Sequence, residues 1–152
     1  MPKLAILDWM VLGAPPPFLD ALRAMADPAT TRTVVEKVSS MWSGGLTNPE
    51  LLAYIDSMTT FPDEMWARAA SAIAAAFETN PAPLDAIAAL DVPPSTLHLY
   101  AQPGDPTYLA AQQTFASENQ WFHVERLDAT SHLPAFEVPD AMAEHLRGLV
   151  AQ

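Results

Sequence analysis

Cysteine is absent from all 152 residues, which excludes a disulfide framework and a thiolate metal site and makes a reducing, cytoplasmic setting the expectation. Cations are almost as scarce. Seven Lys and Arg stand against eighteen Asp and Glu, for a formal charge of -11. Because affinity for nucleic acid rests on clustered cations that release phosphate counterions, this balance argues against a nucleic-acid partner. Long hydrophobic runs are missing too. The opening stretch Leu4-Ala5-Ile6-Leu7 is cut by Asp8 and is far too short for a signal peptide or a membrane span, so no membrane partner is expected. The terminal helix, with Met142, Leu146, Leu149 and Val150, reads as core-facing and shows no sign of membrane affinity. No serine sits in a Gly-x-Ser-x-Gly elbow and no His-Gly oxyanion motif precedes one, so no nucleophile can be assigned. His98, His123 and His145 share no metal-ligand spacing, so no metal site is expected.

What is present is a chain half of whose residues are hydrophobic, enough for one domain with a real core or for part of a larger one. Leu4 to Leu7 reads as a strand buried on both faces, closing at Asp8. Gly13-Ala14-Pro15-Pro16-Pro17 then forces a stiff, extended connection. Helical spacing follows in Leu19, Leu22, Met25 and in Val34, Val35, Val38, Met41. Gly44-Gly45 interrupts, Asn48 offers an N-cap with Pro49 at the first helical position, and a third helix runs to Met58. An alanine-rich helix from Pro62 carries Met65, Trp66, Ala69, Ile73 and Phe77 on one face. A short helix over Leu84 to Leu90, a strand over Thr96 to Ala101, a helix to Ser117, a strand over Trp121 to Leu127 and a terminal helix complete the order. Strand, helical insert, strand, helix, strand, helix is an α/β arrangement with three parallel strands, and an apolar first strand of this kind normally lies inside a larger sheet.

Ala129-Thr130-Ser131-His132-Leu133-Pro134 sits between the last strand and the last helix. A loop just beyond the carboxyl end of a strand is where α/β folds gather catalytic groups, and imidazole is the side chain best suited to proton transfer near neutral pH. His132 is therefore the first candidate for a general base. Asp8, ending the first strand, is a candidate to accept the imidazole N–H, fix its tautomer and stabilise the imidazolium. Asp105, in the loop after the second strand, is the alternative acid.

The run Tyr100-Ala101-Gln102-Pro103-Gly104-Asp105-Pro106-Thr107-Tyr108, then Gln120-Trp121-Phe122, then Thr130-Ser131-His132-Leu133-Pro134-Ala135-Phe136-Glu137-Val138-Pro139-Asp140 resembles the C-terminal part of the cofactor-independent 3-hydroxy-4(1H)-quinolone 2,4-dioxygenases. The likeness extends through Ile6-Leu7-Asp8-Trp9-Met10, Ala14-Pro15-Pro16-Pro17-Phe18 and Trp66, and is loose between Thr30 and Thr60. It implies a single partial α/β-hydrolase domain over residues 1–152, with a helical cap insert at about 18–80 and the N-terminal half of the fold absent. It also implies cleavage of a 2-alkyl-3-hydroxy-4(1H)-quinolone by O2 to an N-acylanthranilate and carbon monoxide without a cofactor. In that reading Asp8 stands at the position of the family's acid and Trp42 near the cap tryptophan that meets the aromatic substrate; by pattern alone Trp42 and Trp66 are core residues of amphipathic helices. The expected partners are the quinolone, O2 and a missing N-terminal half. The alternatives are a serine ester or amide hydrolase of the same fold, and an inactive fragment.

Overall fold

Residues 2–151 are described by a computed structural model. The chain divides into two compact units: one comprises the chain up to Trp9 together with everything from Ala86 onward, the other is Met10–Asp85.

The first unit is built where apolar runs meet. Strands β1 (Lys3–Leu7), β2 (Ser95–Tyr100) and β3 (Phe122–Arg126) form one parallel sheet in the order β1-β2-β3. Lys3 lies opposite Ser95 and Leu7 opposite Leu99, while Thr96 lies opposite Phe122 and Tyr100 opposite Arg126. β2 is the central strand and is buried from Thr96 to Tyr100. Its side chains alternate between two helical layers, as the pleat requires. Leu97 and Leu99 join Leu127, Met142 and Leu149, the last two from the terminal helix α8 (Pro139–Ala151). His98 and Tyr100 face helix α6 (Pro106–Glu118), where His98 Nδ1 lies 2.5 Å from Gln112 Oε1 and the Tyr100 ring meets Tyr108 edge-on at 5.3 Å. Burial pushes the His98 pKa below the ordinary imidazole value, against the opposing pull of Gln112, Asp8 and Trp9.

β1 departs from the sequence reading. It was expected to be buried on both faces, yet Ala5 is exposed, Leu7 is 48% exposed, and Leu4 and Ile6 are only partly covered. The reason is topological: β1 is an edge strand that pairs with β2 alone among the described residues. Val150, expected to face the core, is 73% exposed, because Met142 and Leu149 take the buried positions of α8. A one-turn helix, α7 (Pro134–Glu137), precedes α8 and was not foreseen; Pro134 starts it and Val138 N closes it on Pro134 O at 2.8 Å.

The second unit holds helices α1 (Pro16–Ala26), α2 (Thr31–Ser43), α3 (Pro49–Met58) and α4 (Asp63–Thr79). Helix α5 (Pro83–Ala88) spans the boundary between the units. The polar stops act as their chemistry dictates. Asn48 accepts from Glu50 N at 3.0 Å and Leu51 N at 3.2 Å to cap α3, while α2 ends at an extended Gly44 and Gly45 takes a positive φ of 80° in the turn beyond it. Leu22, Met25, Val35 and Ala70 form the core, with Phe18, Leu19, Trp66 and Ile73 against it. Ala70, not Ala69, is the buried alanine of α4, and Met41 is 67% exposed. Arg32 ties α2 to the turn between α3 and α4 by donating to Thr59 O at 2.6 Å and to Phe61 O at 3.2 Å, and by pairing with Asp63 at the start of α4. Among the described residues no helix is long and apolar enough to cross a membrane.

Candidate active site

Parallel strands point their carboxyl ends the same way, so the segments leaving β1, β2 and β3 converge on one edge of the sheet. Asp8 is the first residue past β1. Its own N–H still follows the sheet, donating to Leu99 O at 2.7 Å, but its φ of 47° turns the chain sharply out of the strand, a conformation that aspartate tolerates better than most residues. The turn brings the carboxylate back over the end of β2. There Oδ1 accepts from Ala101 N at 2.7 Å and Gln102 N at 3.2 Å. Oδ2 lies 2.7 Å from His132 Nδ1.

The two partners differ in exposure: the Asp8 side chain is 4% exposed, that of His132 52%. A buried carboxylate is tolerable only when its lone pairs are satisfied, and two backbone amides and the imidazole do this for Asp8. A carboxylate offers acceptors only, so in neutral His132 Nδ1 is the protonated nitrogen and Nε2 carries the lone pair. That is the tautomer a general base needs. The His132 loop reaches the site from β3 through Leu127, whose N–H donates to Tyr100 O at 2.7 Å, and Gln102 Nε2 touches the loop at Ala129 O, 3.4 Å away.

No family model matches the chain. Curated relatives do. The chain is 30% identical over 141 residues to a 2-heptyl-3-hydroxy-4-quinolone dioxygenase of Rhodococcus erythropolis, covering 93% of this chain and 50% of that protein. It is 30% identical to the 1H-3-hydroxy-4-oxoquinoline 2,4-dioxygenase of Pseudomonas putida, over 97% of this chain and 56% of the relative. Among solved structures, a quinolone-signal ring-cleavage enzyme in complex with its product superimposes with a TM-score of 0.91 at 29% identity, over 100% of this chain and 58% of the other. The structure of 1H-3-hydroxy-4-oxoquinoline 2,4-dioxygenase matches with a TM-score of 0.91 at 30% identity, over 98% and 57%. The chain is a relative of the quinolone 2,4-dioxygenases. It represents a C-terminal part of their α/β-hydrolase fold and spans about half the length of the curated relatives it matches.

In this quinolone dioxygenase relative, the remaining candidates fall as follows. Asp105 caps α6: Oδ1 accepts from Thr107 N at 2.8 Å and Oδ2 from Thr107 Oγ1 at 2.8 Å, and these bonds hold its carboxyl below the usual carboxylate range. The hydrogen bond of His132 is to Asp8. Trp42 lies near the end of α2, half-buried in the other unit, and lines a cleft with Val38, Ile55, Met58 and Trp66. The free interior of that cleft, about 10 Å3, has room for one water at most and none for a bicyclic ring. Among the described residues, no three His, Asp or Glu side chains are grouped to hold a metal ion.

Three elements were not assigned roles from sequence: the Ala101 and Gln102 amides on Asp8, the Gln102 side chain linking two loops, and Glu137. Backbone donors leave no mark on residue identity. Glu137 left a faint one, since a carboxylate six and seven residues after adjacent Ser and Thr can return to them across a single helical turn.

Proposed function

We propose that this chain is the C-terminal portion of a cofactor-free dioxygenase that cleaves 2-alkyl-3-hydroxy-4(1H)-quinolones with O2, releasing carbon monoxide and an N-acylanthranilate. The observation that carries the proposal is the Asp8–His132 pair, at 2.7 Å, in a chain homologous to quinolone dioxygenases along nearly its whole length. His132 Nε2 takes the 3-hydroxyl proton of the quinolone. The resulting anion is electron-rich enough to react with O2 directly, and the positive charge left on the imidazole is stabilised by Asp8. What the protein must add is a pocket that orients the anion and keeps water out. The helical insert at about 18–80 is read as the cap of the family, and Trp42 as an aromatic face for the ring outside its own cleft, which is too small to admit it. The quinolone and O2 are the partners, a further N-terminal part of the fold completes the site, and the setting is cytoplasmic.

The serine hydrolase alternative draws no support from particular residues. The acid expected of such an enzyme, Asp105, is engaged as a helix cap. The test is quinolone-dependent O2 uptake, with detection of carbon monoxide, by the longest natural protein that contains this chain. Uptake lost in His132→Ala supports the reading. Ester hydrolysis without O2 uptake overturns it.

A further inference from the structure

The loop bearing His132 is held by side chains rather than by a backbone ladder. Thr130 N, Ser131 N and Leu133 N all donate to side-chain oxygens. One residue receives most of these bonds. Glu137 Oε2 accepts from Thr130 N at 3.0 Å and Thr130 Oγ1 at 2.7 Å, while Oε1 accepts from Ser131 N at 2.8 Å and from the Ser131 hydroxyl. Ser131 Oγ in turn accepts from Leu133 N at 3.1 Å, so both neighbours of His132 are tied, directly or through one hydroxyl, to the same carboxylate.

We propose that Glu137 is a positioning residue for His132: its carboxylate clamps Thr130 and Ser131 and thereby sets the imidazole against Asp8. The proposal rests on the reading of His132 as the base. The His132 side chain is 52% exposed, so packing does not fix it, and its place is set by the backbone on either side and by one bond to Asp8. Ser131, by contrast, is 7% exposed and anchors the loop from below. An angular error in that anchor is carried directly to the ring, and misplacement of a catalytic group by about 1 Å costs on the order of 100-fold in rate. Partial burial pushes the Glu137 carboxyl up, but the bonds from Ser131 and Thr130 outweigh it and bring its pKa to about 2. The clamp therefore stays charged throughout the range in which an imidazole can work as a base.

The test is made by NMR on the longest natural protein that contains this chain, following the proton between His132 Nδ1 and Asp8 as a downfield resonance, together with amide exchange at Thr130 and Ser131. Glu137→Ala is expected to abolish the resonance and to speed exchange at both amides roughly tenfold or more. Glu137→Gln keeps one acceptor oxygen and is expected to restore part of both signals. Leu149→Ala, a core truncation remote in sequence from the loop, lowers stability and is expected to leave the resonance in place, which a merely structural role for Glu137 would not distinguish. If Glu137→Ala does not fold, the pair Thr130→Val with Ser131→Ala removes two of the four donors and carries the same expectation. A resonance present in the parent and unchanged in the Glu137 variant overturns the clamp alone. Its absence from the parent overturns the Asp8–His132 reading and the clamp with it.

Discussion

Asp8 meets three donors with two oxygens, and the division of labour between them sets what substitution does. Oδ1 is occupied by the Ala101 and Gln102 amides, so the carboxylate cannot rotate away from His132 without breaking bonds to the end of β2. Asp8→Asn keeps the size but places an NH2 where an acceptor is required, either against the two amides or against Nδ1. In the larger protein that contains this chain, quinolone-dependent O2 uptake is expected to fall by on the order of 10³–10⁴-fold, as when the buried aspartate of a serine-protease triad is changed to Asn. Asp105→Asn removes only part of a helix cap and is expected to leave turnover within a few-fold of the parent. The opposite ranking of the two variants would transfer the acid role to Asp105. Trp42→Ala should raise KM more than it lowers kcat, since a ring face binds substrate and transition state alike.

Among the elements, the caps and the one-turn helix α7 give the clearest energetics. Asn48 satisfies two of the amides that α3 leaves free at its start, and Asn48→Ala is expected to lower unfolding stability by about 1 kcal/mol, measured by urea titration. The α7 carboxylate adds a pH dependence whose sign is fixed. The folded-state pKa of Glu137, about 2, lies below the ordinary value of 4.5. Its contribution is thus complete above about pH 4.5 and is lost as pH falls toward 2. The stability gap between the parent and Glu137→Gln should be constant above that window and close within it; a gap unchanged down to pH 2 would show that the four hydrogen bonds do not discriminate the ionised form.

At the scale of the whole molecule, the chain offers the Asp8–His132 pair, but the relatives it matches are about twice as long. Binding the developing anion is often the largest catalytic contribution, and no group for it is assigned here. The 152-residue chain by itself is therefore expected to consume no quinolone at a rate above the uncatalysed background, as followed by absorbance. The outer edge of β1 adds a second expectation. Leu7 is 48% exposed on a strand whose far side has no partner among the described residues, and such an edge invites pairing with another chain. Light scattering should find self-association that Leu7→Lys reduces; a parent that stays monomeric at high concentration would contradict this.

Strand and helix order was legible along most of the chain because it is written locally. Apolar runs closing at Asp8 and Tyr100, the Asn48-Pro49 start and the Gly44-Gly45 stop each act within a few residues. His132 could be singled out for the same reason, as an imidazole on a loop between a strand and a helix. The sequence by itself also determined what the chain cannot build, since no arrangement supplies a thiol or a serine elbow that is not encoded. Which carboxylate His132 meets was decided only by tertiary structure. Asp8 and Asp105 both follow strands, and the positive φ at Asp8 together with parallel pairing of β1 and β2 brings one of them across a separation of 124 residues, while Thr107 holds the other. The exposure of β1 was likewise beyond local reading: an apolar run encodes a strand's preference for burial, but whether a neighbour covers it depends on the sheet around it.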